Sequence, residues 1–149
     1  MASLRLAADK YDRPLVQVEV KPSLLQQQQL YQHPPNTIPS VDLIFLVDTG
    51  STHCAINEAR IAAWHLPKVT PKLVLGAQHP TVAADEYDLS LRLHEGVLSG
   101  SWLHGSFGVT ALPAERFDQS FDGLIGVDLL RLGTLKFDGP LARYELSWV

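Results

Sequence analysis

An Asp-Thr-Gly-Ser sequence, Asp48 to Ser51, stands directly after the apolar run Phe45-Leu46-Val47. A carboxylate driven into apolar surroundings is costly unless it is paired, hydrogen-bonded or protonated. Asp48 is therefore either accommodated by a turn or used for proton transfer. By itself the triplet fits a plain strand-ending turn, with Asp bonding its own backbone and Gly supplying conformational freedom. The other candidate chemistries are thinner. The histidines at 33, 53, 65, 79, 94 and 104 have no recognised ligand spacing, so no metal is expected. Cys54, inside an apolar stretch, reads as a small buried hydrophobe, since a nucleophilic cysteine needs a partnered His.

The elements around Asp48 read as mostly β. Val16, Val18 and Val20 alternate with Gln17 and Glu19 in one half-buried strand. Residues 21–40 hold five glutamines and four prolines with no alternation, and read as an inserted loop with a helical turn from Leu24 to Leu30. Val41 to Val47 is nearly all apolar, as for a strand covered on both faces. A short helix capped by Asn57 follows, with Ile56 and Ile61 as a hydrophobic staple and Pro67 as its end. Residues 72–93 suggest a long hairpin whose tip falls at 76–80. Leu103, Phe107 and Val109 are expected on one face of the next strand. Leu124 and Ile125 lead into a short helix that Gly133 stops, with Asp128 at its positive end. Asp138-Gly139 signals a last hairpin, and Tyr144, Leu146 and Trp148 alternate along its second arm.

A chain of 149 residues makes one domain, and 46% apolar with 19% charged residues is a globular composition. The net charge of −4 offers no basic stripe for nucleic acid. No apolar stretch reaches membrane-spanning length, and the opening residues lack the apolar centre of a signal peptide. One cysteine excludes an internal disulfide. A cytoplasmic protein is the expectation.

Three features together go beyond a plain turn: the triplet ends an apolar strand, a Gly-bearing hairpin follows some thirty residues on, and an apolar Leu-Ile-Gly leads into a short helix near the C-terminus. FLVDTGSTHCAI and FDGLIGVDLLRLGTLKFDG, in that order, make the chain resemble the retropepsin-like aspartic proteases, the single-domain kind found outside retroviruses. The resemblance implies an all-β fold with a flap hairpin and one short C-terminal helix over residues 1–149, the loop at about 21–40 being an insertion. It also implies a two-fold homodimer, because Asp48 is alone; Asp122-Gly123 and Asp138-Gly139 lack the Thr between.

The implied activity is an aspartic endopeptidase without metal or organic cofactor, taking peptide or protein substrates through two Asp48 side chains that activate a water. Thr49, Gly50 and Ser51 support the dyad: Thr49 across the dimer axis, Gly50 through its N–H, and Ser51 through a hydroxyl placed to donate to the outer carboxylate oxygen. Such a bond would favour the charged form and shift the pH optimum toward acid. Thr52 and His53 on one side, and Gly76, Ala77, Gln78 and His79 at the flap, are expected to meet substrate. Retroviral members commonly pair an Asp and an Arg at the positions of Thr52 and Val127, and here both are missing together. That departure, with a flap holding Gly76 alone, supports an alternative: a retropepsin-like dimerisation or peptide-binding module with weak catalysis.

Overall fold

The computed structural model describes residues 2–30, 40–68, 72–76, 79–96 and 100–149. Ten strands carry the fold: β1 (Ala2–Ala8), β2 (Pro14–Pro22), β3 (Val41–Val47), β4 (Ala55–Asn57), β5 (Lys72–Gly76), β6 (His79–His94), β7 (Ser101–Leu112), β8 (Gly123–Ile125), β9 (Thr134–Asp138) and β10 (Arg143–Trp148). Three short helices, α1 (Leu24–Leu30), α2 (Glu58–Ile61) and α3 (Val127–Leu130), lie among them.

Six strands close on themselves in the order β2–β3–β8–β4–β7–β6 and back to β2. Alternation fills this barrel: Val16, Val18 and Val20 of β2 meet Leu43, Phe45 and Val47 of β3 and Leu89, Leu91 and Leu93 of β6, all buried. Each such side chain contributes about 1.5–3 kcal/mol of burial. Gly123 must be glycine, because a Cβ there would stand 2.4 Å from the Phe45 ring. A second, three-stranded sheet, β1–β10–β9, packs Leu4, Leu6 and Leu146 onto the same core.

Several expectations need correction. β1 escaped the sequence reading, although Leu4 and Leu6 alternate there. Leu103 is 60% exposed and Trp102 is buried instead, because Leu89 pairs with Phe107 but Leu91 with His104. The extra residue in β7 is a bulge, and it inverts which parity faces inward. The Asn57-capped helix is split: α2 stops at Ile61, a 3-10 turn runs over Ala62–Trp64, and His65 turns left-handed at φ 50° before Pro67 is reached. Its cap is present, Ala59 N–H donating to Asn57 Oδ1 at 3.1 Å. The Asp138-Gly139 hairpin is wider than a two-residue turn, since Arg143 pairs with Asp138 and Ala142 takes φ 47°. The helical turn at Leu24–Leu30 is there as α1, whereas residues 31–39 of the inserted loop lie outside the described residues. Among the described residues no helix is long and apolar enough to cross a membrane.

Candidate active site

β3 and β8 run parallel, with Leu46 opposite Leu124 and Val47 opposite Ile125. Asp48 extends that ladder by one bond, its N–H donating to the Ile125 carbonyl at 2.9 Å. The chain then reverses: Ser51 N–H donates to the Asp48 carbonyl at 3.1 Å, and Gly50 N–H donates to Asp48 Oδ1 at 2.9 Å. A Cβ at Gly50 would sit 3.2 Å from that same oxygen, so glycine gives the carboxylate a close backbone donor. Asp48 is half-buried, with Thr49 and Gly50 exposed beside it. β3 ends at Val47, so the turn follows at the end of the strand, at the rim of the barrel.

The turn is fastened from below by the start of α3. Val127 N–H donates to the Ser51 carbonyl at 2.8 Å and Asp128 N–H to the Thr52 carbonyl at 3.2 Å. Gly126 lies against the His53 backbone so closely that a Cβ would come within 2.5 Å of it. The segments that hold Thr52 and Val127 therefore run side by side, joined through the Ser51–Val127 and Thr52–Asp128 backbone bonds. Asp128 supplies the side-chain brace. Its carboxylate accepts the Cys54 N–H at 3.0 and 3.2 Å, the Cys54 thiol at 3.2 Å and the Leu129 N–H at 2.9 Å. Burial, reinforced by the Asp128 charge, pushes the thiol pKa far up, so Cys54 stays a neutral donor. The sequence reading gave Asp128 only a helix-end role; the reach of its side chain to residue 54 needs the tertiary crossing.

Ser51 also differs from expectation. Its hydroxyl donates to the His53 carbonyl at 2.8 Å, not to the Asp48 carboxylate, and so stiffens the 51–53 segment. His53 is exposed beside the turn.

Strands β3, β4 and β8, with β6 and β7, carry an apolar shelf, half-buried at Leu46 and Leu124 and already buried at Ala55, Ala84 and Leu112. Leu46, Leu124 and Ala55 face one side through the pairings Leu46–Leu124 and Ala55–Leu124, and Ala55, Ala84 and Leu112 cluster with Phe117 and Leu124. Ala84 belongs to β6, at the foot of the β5–β6 hairpin, whose last described pair is Gly76 with His79. That last described pair falls within the 76–80 span expected from the sequence. Ala77 and Gln78 lie outside the described residues.

The other Asp-Gly carboxylates are engaged elsewhere. Asp122 takes Asn57 Nδ2 at 3.0 Å and Arg60 Nε at 3.1 Å, and Asp138 accepts the Leu141 N–H at 3.2 Å. Among the described residues no group of three or more His, Cys, Asp or Glu side chains could hold a metal ion.

No protein-family model and no curated protein sequence matches the chain. Among solved structures it is similar to a retropepsin-like aspartic protease from Rickettsia conorii, with a TM-score of 0.59 and 14% identity over 99% of this chain and 91% of that one. At that identity the likeness concerns architecture. The closed six-stranded β-barrel with few helices has the retropepsin-like fold.

Proposed function

We propose that this chain is an aspartic endopeptidase that works as a two-fold homodimer. The observation that carries the reading is the Asp48 turn: a carboxylate at the rim of a retropepsin-like barrel, held by Gly50 N–H and fastened beneath by α3, with Thr49 exposed next to it. One such carboxylate cannot act as both acid and base. Two of them brought together by a dimer axis share a proton and divide the work. One Asp48 takes a proton from a water whose oxygen attacks the peptide carbonyl carbon. The other donates its proton to the carbonyl oxygen, and the amine then leaves with a proton as the carbon–nitrogen bond breaks.

In this reading Thr49, exposed beside Asp48, braces its partner copy across the axis, Gly50 orients the carboxylate, and Ser51 stiffens the turn. The substrate would lie extended as an added strand beneath the hairpin that includes Gly76, Ala77, Gln78 and His79, with Thr52 and His53 at its side. The shelf of Leu46, Ala55 and Leu124 favours apolar substrate side chains next to the scissile bond.

The test compares wild type with Asp48→Asn on a diverse peptide library, after the dimer fraction of each has been measured. Turnover lost in a still-dimeric Asp48→Asn is the expected result. A wild-type dimer that binds peptides and cleaves none would replace the enzyme by a peptide-binding module.

A further inference from the structure

Arg13 lies in the turn between β1 and β2, away from the Asp48 turn, yet its side chain reaches the loop that walls the apolar shelf. Its Nε donates to Asp9 Oδ2 at 2.7 Å and its Nη2 to Asp118 Oδ2 at 3.0 Å. Each partner is held on its own side. Asp9 Oδ1 accepts the N–H groups of Tyr11 at 2.9 Å and Arg13 at 3.0 Å, and Asp118 Oδ1 accepts the Ser120 N–H at 2.7 Å. The guanidinium carbon also stands 5.2 Å from the Tyr11 ring centre and 5.4 Å from that of Phe121.

From there the path to the shelf is short. Phe121, 8% exposed, meets Phe117 edge-on at 6.2 Å between ring centres, and Phe117 packs against Ala55, Ala84 and Leu112. Electrostatics agree with the geometry. The Ser120 N–H and the Arg13 guanidinium hold the Asp118 carboxyl below its ordinary range, and the two carboxylates raise the Arg13 pKa. A lone exposed ion pair would fix little. A guanidinium that bridges two oriented carboxylates and rests on two rings has a defined position, which a lysine cannot reproduce.

We propose that Arg13 is a positioning residue for the apolar shelf that carries Leu46 and Leu124: by tying Asp9 to Asp118 and resting on Phe121, it sets where Phe117 packs on that shelf and hence which peptide side chain the shelf takes. The proposal rests on the peptide-binding reading above.

Full-length dimer carrying Asp48→Asn, alone and with Arg13→Gln, Arg13→Lys or Asp118→Asn, would be given a peptide panel varied from Ala through Val and Leu to Phe at one position. Amide hydrogen exchange over 114–121 would be followed in the same proteins. Arg13→Gln should speed exchange in that loop and change the ratio of large- to small-side-chain affinity, each by about threefold or more. Arg13→Lys should fall between it and the parent. If Arg13→Gln fails to fold, Asp118→Asn breaks the same link and leaves the Asp9 pair intact. Unchanged exchange, or an unchanged ratio with peptide binding intact, overturns the role of Arg13 alone. No peptide bound by the parent, with exchange faster in Arg13→Gln, removes the peptide-binding reading and the shelf role with it.

Discussion

The Asp128 carboxylate and residue 54 are joined three times over, through both oxygens to the Cys54 N–H and through Oδ1 to its thiol. This single side chain ties the segment after the Asp48 turn to the start of α3. Removing it leaves a buried N–H without a partner, which costs about 1–3 kcal/mol. Asp128→Ala should lose roughly that much in urea unfolding, together with most peptide turnover. Asp128→Asn keeps an acceptor oxygen and should lose less of both. A variant Asp128→Ala as stable and active as wild type would refute the brace.

Gly126 offers a sharper probe of the same crossing. Its missing Cβ would fall 2.5 Å from the His53 backbone, which cannot swing aside as a side chain can. Gly126→Ala should cost about 1–3 kcal/mol and lower kcat more than it raises KM, because it pushes the turn that carries Asp48 rather than the apolar shelf. Steady-state kinetics beside thermal melting will separate the two effects.

The Ser51 hydroxyl is spent on the His53 carbonyl at 2.8 Å. Ser51→Ala should therefore leave the pH optimum of peptide cleavage where it is and cost about 1 kcal/mol of stability. A pH profile that moves on this substitution would show the hydroxyl turning to the carboxylate in the working dimer.

If each active dimer needs two Asp48 side chains, mixing must show it. Wild type and Asp48→Asn subunits exchanged in equal amounts should leave about one quarter of the activity expected for all-wild-type dimers. Activity falling only to about three quarters would mean that one Asp48 suffices.

His104 makes stability depend on pH. Its ring meets Trp102 edge-on at 4.5 Å and Phe107 at 5.7 Å, and its Nε2 is buried with no hydrogen-bond partner among the described residues. Burial holds its pKa below the ordinary 6.5. As pH falls through 6.5, the unfolded chain takes up a proton that the folded chain resists. The contribution is complete above that value and is lost on the acid side, toward the folded pKa. Urea midpoints measured at roughly pH 5 and pH 7.5 should differ less in His104→Phe than in wild type.

The period-2 patterns in β2 and along Tyr87 to Leu93, the apolar run of β3 and the Asp-Thr-Gly-Ser turn were legible because each depends on neighbours in the chain. The short helix after Leu124-Ile125 and the hairpin tip near Gly76 belong to the same class. Local pattern ceases to inform where a distant strand intervenes. The bulge opposite Ser90 turns Leu103 outward, and only its pairing with β6 reveals that. The reach of Asp128 to Cys54 and the hold of Arg13 on Asp118 follow the same rule. By itself, the sequence determined the strand content and the one carboxylate placed to do chemistry. Tertiary structure alone decided how the turn that bears it is fastened, because Asp128 lies 74 residues from Cys54 and is brought near only when the barrel closes.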